Sequence, residues 1–449
     1  MPESDRKFFV GYARLAIDPP AGIGLGGFGN TNSRLSEKVL DDICVTCVAL
    51  HDPLQTVLMY TVDYLGVSLK NYKVISEWIQ ENLSVPAENV FITATHNHSA
   101  PQVRDGSASV EPYMPAFYEG MYEVARLALK DLAEAKIAVG SARTEHLNYV
   151  RRYLREDGSF VGANYFSKST APIARHESEA DNLMQVIRFE RPQKKDVVMV
   201  NWQCHVTTTS GLKRTDVSAD LVGAFRDASE DELGVLFAYY QGAAGNVVPG
   251  SSLPGETRND DHIKHGKDLT LVLKKALSDM KPVEPSPIRI LHHNYYGLFQ
   301  TDTEGKDLEQ AKEICSAFDS GDSQLVRNLC LEYGFHSYYH AKAILGRSRM
   351  KKGIGKEIQL AALSLGMIGM VFAPYEMYDT NGMQIKERSP FDMTFICAYT
   401  NDAYGYIPSA LGYKNGGYEV DACAFAAGTG EALVEEYLKL LEKVKGTKE

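Results

Sequence analysis

Positive charge is in short supply in this chain of 449 residues: 47 Lys and Arg face 58 Asp and Glu, a formal net charge of −11. That balance argues against nucleic acid as a partner, because phosphate binding wants a concentrated basic surface. No apolar run reaches the roughly 20 residues of a membrane-spanning helix. The charged start runs straight into Phe8-Phe9-Val10-Gly11 and leaves no room for the apolar core of a secretion signal. Cysteine offers no disulfide framework either, since the seven thiols (Cys44, Cys47, Cys204, Cys315, Cys330, Cys397, Cys423) are odd in number, scattered and mostly set in apolar segments. Together these absences predict a cytoplasmic protein. The glycine-rich stretch 22–30 lacks the Lys-Ser/Thr ending and following helix pattern of a phosphate loop. There is no internal repeat, low-complexity tract or long Pro/Ser linker, so one compact unit over 1–449 is expected.

What is present is alternation. Apolar strand patterns over 43–50, 56–64, 89–94, 197–205, 235–240, 359–372 and 391–400 interleave with helix patterns over 72–83, 115–134, 263–280 and 431–444, and a further helix start lies over 220–227. This order predicts an α/β fold with mixed β-sheets flanked by helices. The more polar helical segment 305–350 reads as an insertion or cap.

Three of the apolar strands end in chemistry. The run Asn89-Val90-Phe91-Ile92-Thr93-Ala94 passes into Thr95-His96-Asn97-His98-Ser99-Ala100-Pro101, and alternation would put His96 and His98 on one face beyond the strand end. His205 closes 197–205 just before Thr207-Thr208-Thr209-Ser210, and Glu376 follows Pro374 after the apolar run that ends at Phe372. Two imidazoles and a carboxylate, with one position left for water, are a sufficient set for catalytic zinc. Beside them the loops 399–408 and 416–419 carry several tyrosines, whose phenols can ligate a metal or donate to an oxyanion.

Other groups have plainer readings. His336 and His340 stand four apart in a helical stretch, but no Glu follows His336 as in a metalloprotease helix. Cys44 and Cys47 have the spacing of a redox or zinc half-motif, yet no second pair exists and the flanks read as buried strand. His292 and His293 read as a strand edge.

Taken together and in order, these segments resemble the neutral/alkaline (non-lysosomal) ceramidase family, zinc enzymes that hydrolyse the amide of N-acyl sphingosines. The family's His-Thr-His-Ser-Gly-Pro turn matches His96-Asn97-His98-Ser99-Ala100-Pro101, and its Met-Gly-Tyr matches Gly26-Gly27-Phe28. Its strand ending in His before Thr-Ser matches Trp202 to Ser210, and its carboxylate after a Pro turn matches Glu376. Its Tyr-Ile/Val-Thr-Thr and Arg-Tyr-Glu segments match Tyr406-Ile407-Pro408-Ser409 and Gly417-Tyr418-Glu419, with the two tyrosines a dozen residues apart.

The resemblance implies a ceramidase-like catalytic fold and a zinc ion held by His96, His205, Glu376 and Tyr406. It implies that His98, Tyr418 and an arginine of the Arg151-Arg152 pair, with Arg152 favoured, contact the scissile carbonyl. Gly27 would let the backbone approach the substrate. The substrate implied is a small-molecule or lipid-like N-acyl amide. Three departures accompany the likeness. Where the family has Gly-Asp-Val-Ser-Pro-Asn this chain has Gly245-Asn246-Val247-Val248-Pro249-Gly250, so Val248 stands at the serine. The family's additional C-terminal β-sandwich domain has no counterpart in these residues, and the Asn-x-Tyr-x-x-Tyr pattern loses its first tyrosine in Asn401-Asp402-Ala403-Tyr404-Gly405-Tyr406. Val248 leaves open amide hydrolysis with water as the only nucleophile, hydrolysis of an ester, lactone or cyclic amide, and an inactive ligand-binding homologue.

Overall fold

The apolar runs pair into three principal sheets. In spatial order, the first holds Val90–Ala94, Thr56–Val62, Cys44–His51, Phe9–Ala16 and Ala133–Glu134. The second holds Leu236–Gln241, Val197–Trp202, Leu183–Glu190, Lys136–Arg143 and Lys281–Val283, and the third Arg289–Leu298, Gly355–Leu365, Ile368–Phe372 and Met393–Cys397. These descriptions come from a computed structural model and cover residues 7–28, 31–104, 106–284, 286–301 and 305–446. The Gly29-Asn30 end of the glycine-rich stretch lies outside them.

Each sheet is antiparallel except for one parallel pair, and each pair is joined by a helical crossover. Thr56–Val62 reaches Val90–Ala94 through the helix Leu69–Leu83, Val197–Trp202 reaches Leu236–Gln241 through Asp220–Leu233, and Ile368–Phe372 reaches Met393–Cys397 through Asp379–Arg388. A parallel pair cannot be closed by a hairpin, so the crossover helix is a geometric necessity. The same unit thus occurs three times although the sequence carries no repeat.

Val48, Met59 and Phe91 of the first sheet, Ile187 and Met199 of the second and Leu363, Met370 and Phe395 of the third belong to one buried cluster. The opposite faces are covered by helices: Ile75, Ile79, Phe117 and Met121 pack on the first sheet, Leu221, Phe225, Leu269 and Leu273 on the second, Leu433, Tyr437 and Leu441 on the third. Burial on both faces is why the central strands read as continuous Val/Ile/Phe runs instead of alternating ones. The mixed α/β architecture follows the order of patterns in the sequence.

The run 359–372 reads as a single strand but folds as two, because Gly366 takes φ +60° and turns the chain between Leu365 and Ile368, which pair directly. Three helices, Gly305–Asp319, Ser323–Tyr333 and Tyr338–Arg347, are inserted between the paired strands Arg289–Leu298 and Gly355–Leu365. They have their own buried cluster, including Ile314, Val326, Cys330, Phe335 and Ile344. All seven cysteines are unpaired thiols, and Cys44 and Cys47 are buried in a strand of the first sheet. His292 and His293 lie in the edge strand Arg289–Leu298. Among the described residues no helix is long and apolar enough to cross a membrane.

Candidate metal centre

The carboxyl ends of the three parallel pairs meet at one place, the usual location of sites in sheets of this kind. His96 sits two residues beyond Val90–Ala94 with φ +64°, a left-handed conformation that a non-glycine residue adopts only where its surroundings enforce it. They do: the Thr95 N–H donates to Val62 O at 2.9 Å, and the His98 N–H donates to Val206 O at 3.1 Å. The two imidazoles converge through this turn and not through strand alternation, and their Nε2 atoms stand 3.2 Å apart.

The His96 and His205 rings are each fixed from behind. His96 Nδ1–H donates to Leu65 O at 3.0 Å, and His205 Nδ1–H to Ala244 O at 2.6 Å and Val247 O at 3.1 Å. In both cases the carbonyl comes from the loop after the parallel partner strand. With Nδ1 carrying the proton, the Nε2 lone pair of each ring points into the site, the arrangement that metal-binding histidines require. Glu376 Oε2 lies 3.2 Å from His96 Nε2 and 3.5 Å from His205 Nε2.

Three acceptor atoms crowded together repel one another unless a cation lies between them. The buried Nε2 of His205, Oε2 of Glu376, Nδ1 of His98 and hydroxyl of Tyr399 have no hydrogen-bond partner among the described residues. Burial, then the nearby Arg151, pushes the His205 imidazole down to about 4. Burial, followed by His96 and His205, holds His98 well below the usual histidine range. For Glu376 burial works upward, but the neighbouring His96 and His205 outweigh it and hold the carboxyl well below its usual range. A neutral imidazole such as that of His205 beside an ionised carboxylate at neutral pH belongs to the donor set of zinc. His96, His98 and His205 form the one group of three potential ligands found among the described residues, with their ligand atoms within 4.8 Å of one another.

The short strands Glu376–Met377 and Tyr406–Ile407 run parallel with Glu376 opposite Tyr406, so carboxylate and phenol enter the site side by side. The Tyr406 ring lies 6.4 Å from that of His205 and 5.7 Å from that of Tyr418. Burial raises the phenols of both Tyr406 and Tyr418 above their ordinary value, Tyr418 to about 12.

The arginine that reaches this group is Arg151. Its Nη2 donates to the Tyr406 hydroxyl at 3.0 Å and to Gly245 O at 3.1 Å, and its Nε donates to Glu419 at 2.8 Å. Arg152, favoured by the sequence reading, points the other way. It is fully buried, and it donates to Glu177 at 2.6 and 3.0 Å, to Glu419 at 3.0 Å and to Gly416 O at 2.9 Å. Neighbours on an extended segment face opposite sides, so one residue of register decides which guanidinium serves the site and which the packing.

Gly27 has φ +106°, and a Cβ there would lie 2.2 Å from His98 Nδ1. The absent side chain is therefore what admits the His98 ring. Val248 is half-buried in the short strand Val247–Val248, paired with Tyr149–Val150. His336 and His340 stack at 4.1 Å, and His336 Nε2 bonds Asp421 at 2.6 Å, away from the three-histidine group.

Tyr399, the first of the loop tyrosines, has no individual role in the sequence analysis but stands against the histidine group. It has φ +56° and stacks on His96 at 4.2 Å between ring centres. Its position just past the strand Met393–Cys397 matches that of His96 past its own strand, the cue that sets it apart from the other loop tyrosines.

No protein-family model matches the chain, and no curated protein sequence does. Solved structures do. Neutral ceramidase from Pseudomonas aeruginosa superposes with a TM-score of 0.70 at 15% identity, covering 97% of this chain and 74% of the ceramidase. A ceramidase complexed with C2 gives a TM-score of 0.71 at 14% identity, covering 97% and 75%. At such identity the likeness speaks for the fold alone: the chain has the fold of the neutral ceramidases.

Proposed function

We propose that this protein is a zinc-dependent amidohydrolase acting on a ceramide-like or other N-acyl amide. The observation that carries the proposal is the convergence of His96 Nε2, His205 Nε2 and Glu376 Oε2 on one buried point, each imidazole tied through Nδ1–H to a backbone carbonyl. The ceramidase fold supports the choice of an amide. His96, His205 and Glu376 would hold the ion, with Tyr406 beside them. Zinc bound there supplies Lewis acidity, polarising a carbonyl and lowering the pKa of water.

The chain's own residues supply the rest. Water adds to the acyl carbon, the C–N bond breaks, and a carboxylic acid and an amine leave. Val248 has no group that can attack or donate, so no side-chain nucleophile is assigned at that place. His98, neutral and next to His96, contacts the carbonyl and exchanges its proton at Nε2. The Tyr418 hydroxyl donates to the developing oxyanion, and Arg151, in the role first given to Arg152, holds the Tyr406 hydroxyl in place. Seven unpaired cysteines, six of them buried, suit a reducing compartment, and we place the protein in the cytoplasm.

Val248 favours one second reading, a zinc hydrolase of an ester, lactone or cyclic amide. A substrate panel separates the two. Zinc-dependent turnover of short-chain N-acyl sphingosines and other linear amides, abolished by His96→Ala, supports the amidase, whereas turnover confined to esters, lactones or cyclic amides replaces it.

A further inference from the structure

The chain is acidic overall, with a net charge of −11, yet residues 347–356 read Arg-Ser-Arg-Met-Lys-Lys-Gly-Ile-Gly-Lys, five cations and no carboxylate. The segment forms the turn from the helix Tyr338–Arg347 back into the strand Gly355–Leu365. Arg347 donates to Val420 O at 2.9 Å, and Lys356 lies 4.2 Å from the centre of the Tyr404 ring. Arg349, Lys351 and Lys352 are exposed and take part in no ion pair or hydrogen bond through their side chains among the described residues. Together with Arg347 and Lys356 they concentrate five cations into ten residues, a basic stretch in a chain that is acidic overall.

Apolar side chains stand among these cations. Met350 is 43% exposed and Ile354 49%, and the neighbouring strand adds Leu298 at 48% and Tyr296 at 53%. Three of them lie together, with Met350 in the same turn: Leu298 pairs with Gly355 on the neighbouring strand, the Phe299 N–H donates to Ile354 O at 2.9 Å, and the Gly355 N–H donates to the Tyr296 hydroxyl at 3.0 Å. Tyr296 and Leu298, two apart on one strand, share its outward face. Cations interleaved with exposed apolar groups fit a surface that is anionic at its rim and hydrocarbon beneath. The polyanion of a nucleic acid would satisfy the charges and leave the aliphatic groups in water.

The patch also has a connection inward. A cavity of about 390 Å³ is lined by Met350, Lys342, Tyr339, Ala422 and Tyr418 among others. Tyr418 is the residue whose ring stands 5.7 Å from that of Tyr406 in the metal centre.

We infer that the turn 347–354, with Leu298 and Tyr296 beside it, is a docking surface for an anionic phospholipid bilayer, placed so that the cavity between Met350 and Tyr418 opens at the bilayer. The cations give the initial attraction, and Met350, Ile354, Leu298 and Tyr296 enter the interface. Binding at this surface does not require the hydrolase reading, and the experiment keeps the two apart.

The full-length protein is floated with vesicles of phosphatidylcholine alone and of phosphatidylcholine containing phosphatidylglycerol, at low and high salt. The wild type is expected on the anionic vesicles at low salt, with binding weakened by high salt and absent on phosphatidylcholine. The triple variant Arg349→Glu, Lys351→Glu, Lys352→Glu loses about a hundred-fold or more in partition, at about five-fold per cation. Met350→Ser with Ile354→Ser loses about ten-fold. All these changes lie on the surface, so zinc content and melting temperature stay at the wild-type values. Equal binding to neutral vesicles, no binding to anionic ones, or unchanged binding by the triple variant overturns the docking surface, as does binding to polyuridylate in place of vesicles. Vesicle binding by a protein that holds no zinc would leave this surface standing and remove only the hydrolase.

Discussion

Asn246 and Asp379 hold each other in both directions. Asn246 Nδ2 donates to Asp379 Oδ1 at 2.7 Å, and the Asp379 N–H donates back to Asn246 Oδ1 at 2.9 Å. The pair clamps the turn 244–247 to the chain after Glu376. That turn supplies the carbonyls that orient His205 and one that receives Arg151, while the Gly245 N–H donates to Met377 O at 2.8 Å. Asn246→Ala is therefore expected to cost about 2 kcal/mol of stability. It should also weaken zinc binding roughly ten-fold or more, as the loss of groups that orient ligands does. Chelator competition and thermal melting read the two effects separately.

The same pair sets a pH dependence. Burial raises the Asp379 carboxyl from 3.8 to about 7, so the native state keeps a proton that the unfolded chain releases. The sign follows from linkage: this contribution to stability is complete below the unfolded pKa and is lost as pH rises through about 7. Asp379→Asn keeps the hydrogen bonds without the titration. Its melting temperature relative to the wild type should rise as pH climbs through that range, and a constant difference would show that Asp379 is ionised throughout.

The two adjacent arginines should fail in different ways. Arg152→Ala leaves Glu177 without its buried guanidinium and Glu419 with Arg151 alone, and is expected to destabilise by about 3–5 kcal/mol. Arg151→Ala still leaves Arg152 with Glu419, so the fold should survive while kcat drops about 100-fold through the released Tyr406 hydroxyl. Equilibrium unfolding beside steady-state kinetics distinguishes them.

Gly27→Ala tests the role of His98. The left-handed backbone adds about 1–3 kcal/mol of strain, and the new methyl displaces the His98 ring. Zinc held by His96, His205 and Glu376 should remain near stoichiometric while kcat falls. Loss of zinc in this variant would make His98 a ligand.

Much of this site was legible in the sequence because ligand chemistry stood where apolar strands stop. His96, His205 and Glu376 each follow such a run, and each lies at the carboxyl end of a parallel pair. The pairing of Glu376 with Tyr406 needed the family resemblance, since thirty residues separate them and a two-residue strand has no periodicity to read. Three things were not legible. The choice between Arg151 and Arg152 depends on which side of an extended segment faces the histidine group, which a single step of register inverts. The carbonyls that orient His96 and His205 belong to Leu65, Ala244 and Val247, and a backbone acceptor leaves no mark on residue type. The threefold crossover unit was hidden because its copies share strand order and helix placement without sharing residues.

The central claim is that His96, His205 and Glu376 hold a zinc ion. Plasma mass spectrometry of the purified protein beside His96→Ala and Glu376→Ala tests it most directly. Near-stoichiometric zinc in the wild type that falls in both variants is the result this account expects. Absence of metal from all three proteins, even after zinc is supplied, or equal zinc in all three, would contradict it and leave the ceramidase likeness as one of fold.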